Sequence, residues 1–318
     1  MQIRNSLNPY ILLIGPAGSG KTTLSKRVVL STLQKGNYSF FVPLSFVDPH
    51  KPIDLKYLLF EIQMLYFSGD IKFGKHKLSA AFAWLLANQH KVTIILEGLD
   101  QARFSLQKCK DSTKISIHKK YLASELLYLI LSRKVLPKVR LILTSRPHSI
   151  LNFEASIQTN HVLYLDDLSE NDMKKLFRFF VETEDSDKIL IKLKEKSPNV
   201  ERLVFCPLYL RLFCHLHRMV GEEIWKVVGS VAGLFDELLS RLHSSAHKAS
   251  PLGEDELTRK LSKLAYGKTA GRSVVVEQED LIGCGVTPDE VQDLMVGVNG
   301  VLVGTSLFYF AHQSIQVC

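Results

Sequence analysis

The sequence predicts an α/β fold, in which a doubly wound parallel sheet is followed by a helical domain and a small winged-helix domain. Two observations in the first half predict the sheet: short apolar runs alternate with longer helical patterns, and a glycine-rich loop directly follows the first run. The third observation is that, after residue 165, apolar residues recur mostly at the spacing of helices. At 318 residues the chain also exceeds the usual span of one hydrophobic core. We therefore expect three domains, over residues 1–165, 166–228 and 229–318, with the third incomplete at its C-terminus.

The predicted strands are apolar runs bounded by polar or turn-forming residues, which is typical of strands buried in a parallel sheet. They cover residues 11–14, 40–46, 92–96, 139–143 and 162–165. Between the first four, apolar residues recur at three-and-four spacing and predict crossover helices. These helices cover residues 24–33, 55–64, 78–87 and 122–131.

The helical pattern begins at Ser169, which we interpret as the N-cap of a helix over residues 173–181. A further segment has helical patterns around residues 234–242 and 257–265. Gly-rich turns and two strand-like runs, at 301–303 and 307–310, follow them. That mixture is typical of a winged helix.

Composition narrows the function classes. The net charge of +8 could favour polyanions, but the lysines stand in short runs broken by acidic or apolar residues, which indicates solvated faces. The five cysteines form neither a CxxC pair nor a disulfide framework, so we expect reduced thiols and a cytoplasmic location. No apolar run approaches the roughly 18 residues that a membrane span needs.

The strongest motif satisfies the pattern GxxxxGK[ST] between an apolar strand and an amphipathic helix, and it predicts a P-loop NTPase sheet. It consists of Gly15, Pro16, Ala17, Gly18, Ser19, Gly20, Lys21 and Thr22, and we count Thr23 with the nucleotide-binding residues. Backbone N–H groups in such a loop turn towards phosphate oxygens, Lys21 reaches the outer phosphates, and Thr22 offers its hydroxyl to Mg²⁺. The alternative is a chance Gly-rich turn, which the strand and helix flanks disfavour.

Acidic residues follow the third predicted strand. Glu97 ends the run and Asp100 follows it, so both are expected at the sheet edge that faces the glycine loop. There Glu97, with Thr22, could hold Mg²⁺ or its water shell, and Asp100 could orient the attacking water. The alternative is that these carboxylates only cap a surface turn.

Arg146 follows the fourth predicted strand at the same edge. A guanidinium placed there can contact the terminal phosphate through charge-assisted hydrogen bonds, so Arg146 joins Glu97 and Asp100 as a candidate catalytic residue. The alternative is an exposed arginine at a strand end.

The order and spacing of these motifs resemble the NACHT domain of the NOD-like receptors, which are signal-transducing ATPases of innate immunity. The family's Asp-Gly-Leu-Asp-Glu stands here as residues 97–101, Glu-Gly-Leu-Asp-Gln, and its Thr-Ser-Arg-Pro stands intact as residues 144–147. The turn at residues 165–170 is similar to the one that opens the family's helical domain.

The resemblance extends to two later motifs. Cys206, Pro207 and Leu208 resemble the family's Pro-Leu step, whose proline packs on the adenine, and residues 310–316 resemble a winged-helix motif. The resemblance implies that His312 of that motif contacts the ADP β-phosphate. Taken singly, a proline before a helix and a histidine in a strand are more often structural.

The resemblance implies an ATP/ADP switch, closed with ADP and open with ATP, that hydrolyses ATP slowly with Mg²⁺ and self-oligomerises when activated. Glu97 in place of Asp lengthens the metal arm, and Gln101 in place of Glu removes a potential base, so hydrolysis is expected to be slow. We expect effector and sensor domains outside this fragment, no membrane contact and no specific nucleic-acid binding. The alternatives are a P-loop ATPase or kinase with steady turnover, potentially nucleic-acid dependent, and a scaffold that keeps its nucleotide.

Overall fold

The computed structural model describes residues 9–67, 75–106, 115–150, 159–181, 186–227, 229–230, 233–234, 237, 254–270, 276–287, 295–299 and 306–310. Its first part is a five-stranded sheet with the spatial order β2-β3-β4-β1-β5. Every pairing within this sheet is parallel. The strands are β1 (Tyr10–Ile14), β2 (Tyr38–Pro43), β3 (Val92–Glu97), β4 (Arg140–Ser145) and β5 (His161–Tyr164).

Helices connect the first four of these strands along the chain, so the predicted α/β architecture is confirmed. They are α1 (Lys21–Gln34), α2 (Ile62–Phe67), α3 (Lys75–Ala87) and α4 (Ala123–Leu131), with a π-helical turn, Tyr57–Glu61, leading into α2. The larger core cluster joins one face of the sheet to α4, whose apolar side chains are all buried. A smaller cluster on the other face contains Ile11, Phe41, Ile95 and Ile142.

One sequence expectation needs correction. The predicted strand over 40–46 ends at Pro43, which has no N–H to donate, and Leu44–Phe46 form a 3-10 turn instead. The helix predicted over 24–33 is confirmed as α1, although its leucines do not line its buried face: Leu30 and Leu33 are about half exposed, whereas Ser25 and Thr32 are buried. Ser25 is buried because its hydroxyl donates to the Glu97 carboxylate at the end of β3.

Beyond the sheet, α5 (Glu170–Val181) begins as predicted, because the Ser169 hydroxyl accepts a hydrogen bond from the N–H of Asp172 at 3.2 Å. The segment continues through α6 (Ser186–Lys196), α7 (Pro198–Leu203), α8 (Pro207–Val220) and α9 (Ile224–Val227). These helices share a hydrophobic core of their own, centred on residues such as Phe177, Leu193, Leu210 and Phe213.

A third segment has another core, which includes Leu257, Leu261 and Leu281. It comprises α10 (Glu254–Ala270), β6 (Val276–Glu277), α11 (Gln278–Gly283), β7 (Met295–Asn299) and β8 (Ser306–Phe310), with an antiparallel strand order β6-β8-β7. The strand expected at 307–310 is confirmed in β8, whereas 301–303 and most of 234–242 lie outside the described residues. The winged helix and the three domain boundaries stay predictions. Among the described helices, none is long and apolar enough to cross a bilayer.

Candidate nucleotide-binding site

The glycine-rich loop lies between β1 and α1, as its motif predicts. Gly18 and Gly20 have φ angles of +79° and +92°, in the left-handed region that side chains rarely adopt. The loop is tied to the sheet edge because the N–H of Gly15 donates to the Ser145 carbonyl at 3.2 Å. A β-carbon on Gly15 would lie 2.9 Å from the backbone carbonyl oxygen of Leu165, so a side chain at this position would force the backbone to shift.

Lys21 is held over this loop. Its ammonium donates to the carbonyls of Gly15 and Pro16 at 2.7 and 2.8 Å. Burial lowers the pKa of Lys21, and the nearby carboxylate of Asp100 gives the largest opposing effect. The charge is thus fixed at the mouth of the loop, where an outer phosphate group would be neutralised.

Glu97 ends β3 directly beside the first turn of α1. Its two carboxylate oxygens accept hydrogen bonds from the hydroxyls of Thr22, at 2.6 Å, and Ser25, at 3.0 Å. Burial raises the pKa of Glu97, while hydrogen bonds from Thr22, Ser25 and Thr144 act in the opposite direction. A hydroxyl and a carboxylate in contact are a pair of oxygen ligands that suits Mg²⁺, so Thr22 and Glu97 fit the predicted metal site.

Asp100 and Arg146 form an ion pair, with 2.9 Å between Nε of Arg146 and Oδ2 of Asp100. Only 5% of the Asp100 side chain is exposed, against 26% for Arg146. Both follow neighbouring strands, and Gly98, with φ at +78°, turns the chain between Glu97 and Asp100. Arg146 and Asp100 therefore lie at the same edge of the sheet, as predicted, but they contact each other there.

The first turn of α8 lies against the glycine loop. The Cys206 thiol donates to the Ala17 carbonyl at 3.8 Å, and a β-carbon on Gly18 would lie 2.8 Å from Cβ of Leu208. Burial raises the pKa of the Cys206 thiol, so it is protonated and suited to this role. Pro207 occupies the first position of α8, where its missing N–H costs nothing.

The structure brings most of the predicted residues together. The loop residues, Glu97, Asp100, Arg146 and Pro207 surround one sheet edge, and Thr23 is exposed in the first turn of α1. His312 lies outside the described residues. Sequence reasoning missed Ser25, although its position three residues after Thr22 places both hydroxyls on one face of α1.

Comparison with known proteins adds family information. The family model described as "NACHT domain" matches residues 9–184. Among human relatives, NACHT, LRR and PYD domains-containing protein 2 is 23% identical over 96% of this chain and 28% of its own length. Human protein 7 of the same series is 25% identical over 98% and 31%, and rat protein 6 is 22% identical over 96% and 35%. This chain therefore spans about a third of these relatives. A solved structure, the Aeropyrum pernix ORC2 protein, has a TM-score of 0.44 at 14% identity, covering 96% of this chain and 84% of its own.

Proposed function

This chain belongs to the NACHT domain family, and from that premise we propose that it is an ATP- and ADP-binding switch. In the proposal the sheet, the helical segment and the C-terminal segment close around ADP and separate when ATP replaces it. The three segments are proposed to be the domains over 1–165, 166–228 and 229–318, the last a winged helix whose His312 contacts the β-phosphate. A cytoplasmic location and self-oligomerisation of the ATP state are part of the same proposal.

One observation carries the proposal. The loop expected to hold the phosphates is covered by the first turn of α8, through Cys206 on Ala17 and Leu208 against Gly18. Packed interfaces of this kind have discrete arrangements rather than a continuous range. A change in what the loop holds must therefore be accommodated by α8 and by the helical core that α8 carries.

The chain's own polar groups fit a nucleotide with its metal. Lys21 supplies a partly desolvated charge to the outer phosphates, and the loop N–H groups supply donors. Mg²⁺, when bound, would neutralise phosphate charge beside Thr22 and Glu97. To bind nucleotide, Lys21 must give up its hydrogen bonds to the loop carbonyls and bond to phosphate oxygens instead.

The Asp100–Arg146 ion pair supports slow turnover as part of this proposal. Asp100 can orient a water molecule only with an oxygen that is not engaged by Arg146, and the ion pair takes Nε of Arg146 from the donors that a phosphate could use. Gln101, next in the chain, offers no carboxylate as a substitute base. The nucleotide cycle is therefore proposed to serve as a timer for the switch.

The binding step is tested by changing Lys21 to Ala. ADP or ATP at about 100 times its Kd should stabilise the parent by about 2.7 kcal/mol and leave the variant's melting temperature unchanged. Lys26→Ala, an exposed lysine one turn further along α1, serves as the control and should behave as the parent does. Equal shifts in the parent and Lys21→Ala would show that the loop is not the site.

The timer is tested by the rate of phosphate release. We expect the parent to turn over Mg-ATP far below the roughly 1 to 100 per second of typical kinases. Asp100→Asn should lower the rate further with little change in nucleotide affinity. A parent rate within the kinase range would favour the steady-turnover alternative, and a rate that rises with added DNA would favour a nucleic-acid-dependent ATPase.

A further inference from the structure

A cavity lies between α10 and α11, far along the chain from the glycine loop. Its volume is about 590 Å³, within the range usual for small-molecule sites. Four of its lining side chains are cationic: Arg259, Lys260, Lys263 and Lys268. Asp280 contributes the acidic side chain of the lining, and Cys284 contributes a thiol.

Two of the four cations are neutralised locally. Lys268 forms an ion pair with Asp280 across the cavity, and Lys260 pairs with Glu256 at 3.3 Å and donates to the Gly285 carbonyl at 3.2 Å. Within the described part of the chain, no such partner is found for Arg259 or Lys263. These two lie one turn apart on α10, where like charges repel each other and destabilise a helix. A bound anion would reduce that repulsion.

The lining selects the chemistry of a ligand. Arginine presents a planar fork that matches phosphate oxygens, and lysine adds a compact charge with three donors. Leu264 carries the one aliphatic side chain among the lining residues, and the rest of the apolar lining belongs to the stems of charged side chains, to glycines and to Cys284, so a polar, charged ligand is favoured over a hydrophobic one. The cations converge on one concavity instead of following an extended groove, which fits a compact polyphosphate better than a nucleic-acid backbone.

We propose that this cavity is a binding site for a small anion that carries several phosphate groups, such as an inositol polyphosphate. Arg259 and Lys263 supply the charge that recognises the anion. Lys260 and Lys268, which already have acidic partners, line the cavity beside them. The lining includes no residue of the glycine loop or of the sheet, so the site is independent of the proposed nucleotide switch. The same chemistry occurs in a free inositol polyphosphate and in the headgroup of a phosphoinositide lipid.

Cys284 provides a reporter inside the site. Its side chain is partly exposed and lines the cavity, whereas Cys206 and Cys214 are buried. A thiol-specific reagent should therefore modify Cys284 faster than the two buried thiols. Mass spectrometry separates its peptide from those of Cys109 and Cys318, so the rate at Cys284 can be followed by itself.

The test measures binding of myo-inositol hexakisphosphate to the full 318-residue chain by calorimetry, with ADP saturating the glycine loop. Binding should weaken as salt is added, and the ligand should slow modification of Cys284. Arg259→Ala combined with Lys263→Ala should weaken binding by at least about tenfold, because two charge-assisted contacts are lost. Lys196→Ala combined with Arg202→Ala removes the same charges from exposed positions elsewhere and should leave affinity within about twofold.

Two further variants keep the outcomes separate. Lys21→Ala should bind the hexakisphosphate as the parent does even when nucleotide binding is lost, so the two sites succeed or fail independently. Lys263→Arg keeps the charge and should retain binding. If the double variant does not fold, protection of Cys284 in the parent decides the matter.

Vesicles distinguish the source of the ligand. Binding to vesicles that contain phosphatidylinositol 4,5-bisphosphate, reversed by free hexakisphosphate, supports the site with a lipid headgroup as ligand, and binding of the free compound alone supports it with a soluble one. The proposal is overturned if neither binds, if the double variant binds as tightly as the parent, or if Cys284 is not protected. Preferential binding of duplex DNA at equal phosphate concentration would also overturn it.

Discussion

At the scale of single residues, two carboxylates lie at one sheet edge in different surroundings. Glu97 accepts hydrogen bonds from the hydroxyls of Thr22 and Ser25, whereas Asp100 contacts the guanidinium of Arg146. Hydroxyl partners leave Glu97 able to share its oxygens with a cation, and the ion pair ties Asp100 to a residue expected to contact phosphate. The proposed division of roles between the two acids rests on this difference.

We predict that Arg146→Ala destabilises the chain by about 1–3 kcal/mol in the absence of nucleotide, because it leaves the nearly buried Asp100 without that partner. Urea unfolding followed by circular dichroism measures the change. Adding Asp100→Asn to Arg146→Ala should restore part of the loss, since an amide is less costly to bury than a carboxylate. No recovery in the double variant would mean that the loss of stability in Arg146→Ala does not come from breaking the ion pair.

At the scale of elements, the contact between the glycine loop and α8 joins two hydrophobic cores. Gly18 lies so close to Leu208 that a movement of the loop towards α8 would have to displace the helix. The sequence predicted the loop, its strand and its helix, because the motif has a fixed order and the local periodicity is strong. It named Cys206, Pro207 and Leu208 only through the family resemblance. A contact between residues about 190 positions apart leaves no local pattern, since tertiary packing alone creates it.

The burial of α1 shows what its periodicity could not predict. Its leucines have the spacing of a core-facing stripe, yet Leu30 and Leu33 are exposed and Ser25 is buried against Glu97. Periodicity predicts that a helix forms but cannot show which face meets a functional carboxylate. The inner strands β1, β3 and β4 were easier to predict, because burial on both faces makes them largely apolar, whereas the edge strand β5 is mostly exposed.

Gly18→Ala should destabilise the chain more than Gly20→Ala. Both positions have positive φ, which costs a side chain about 1–2 kcal/mol. At Gly18 the new methyl group would meet α8, at 2.8 Å from Leu208, whereas among the described residues no atom beyond the chain neighbours lies within 4 Å of a β-carbon on Gly20. Thermal unfolding without nucleotide gives the comparison, and amide exchange in the first turn of α8 should rise in Gly18→Ala alone. Equal effects would show that α8 does not constrain the loop.

His217 of α8 gives the helical segment a dependence on pH. Its ring packs against those of Phe213 and Trp225, and burial lowers the pKa of His217 below 6.5. Among the described residues its Nε2 atom is buried without a hydrogen-bond partner. The lowered pKa means that the unfolded chain binds a proton at His217 more readily than the folded chain does. The stability that neutral His217 contributes is therefore fully present above pH 6.5, and it is lost as the pH falls towards the pKa of His217 in the folded chain.

We therefore predict that His217→Phe raises the melting temperature more at about pH 5.5 than at about pH 8, since phenylalanine cannot be protonated. His215→Phe, at an exposed position of the same helix, should leave the pH dependence of the parent unchanged. Parallel curves for the parent and His217→Phe would contradict the assignment.

At the scale of the whole molecule, the described residues form separate hydrophobic cores in the sheet, in the helical segment and in the C-terminal segment. Separate cores allow rigid parts to change their relative arrangement at little cost, provided that few contacts cross between them. The glycine loop, covered by α8, is where a ligand of the first part can influence the second. The basic cavity between α10 and α11 would give the third part a ligand of its own.

The measurement that tests the switch most directly is the radius of gyration from small-angle scattering, with ADP and with a non-hydrolysable ATP analogue, each near saturation. We predict a compact particle with ADP and a larger one with the analogue. His312→Leu should be larger than the parent even with ADP, while His215→Leu should match the parent. The same radius for the parent with both nucleotides, at concentrations where thermal shifts show that both are bound, would contradict the account.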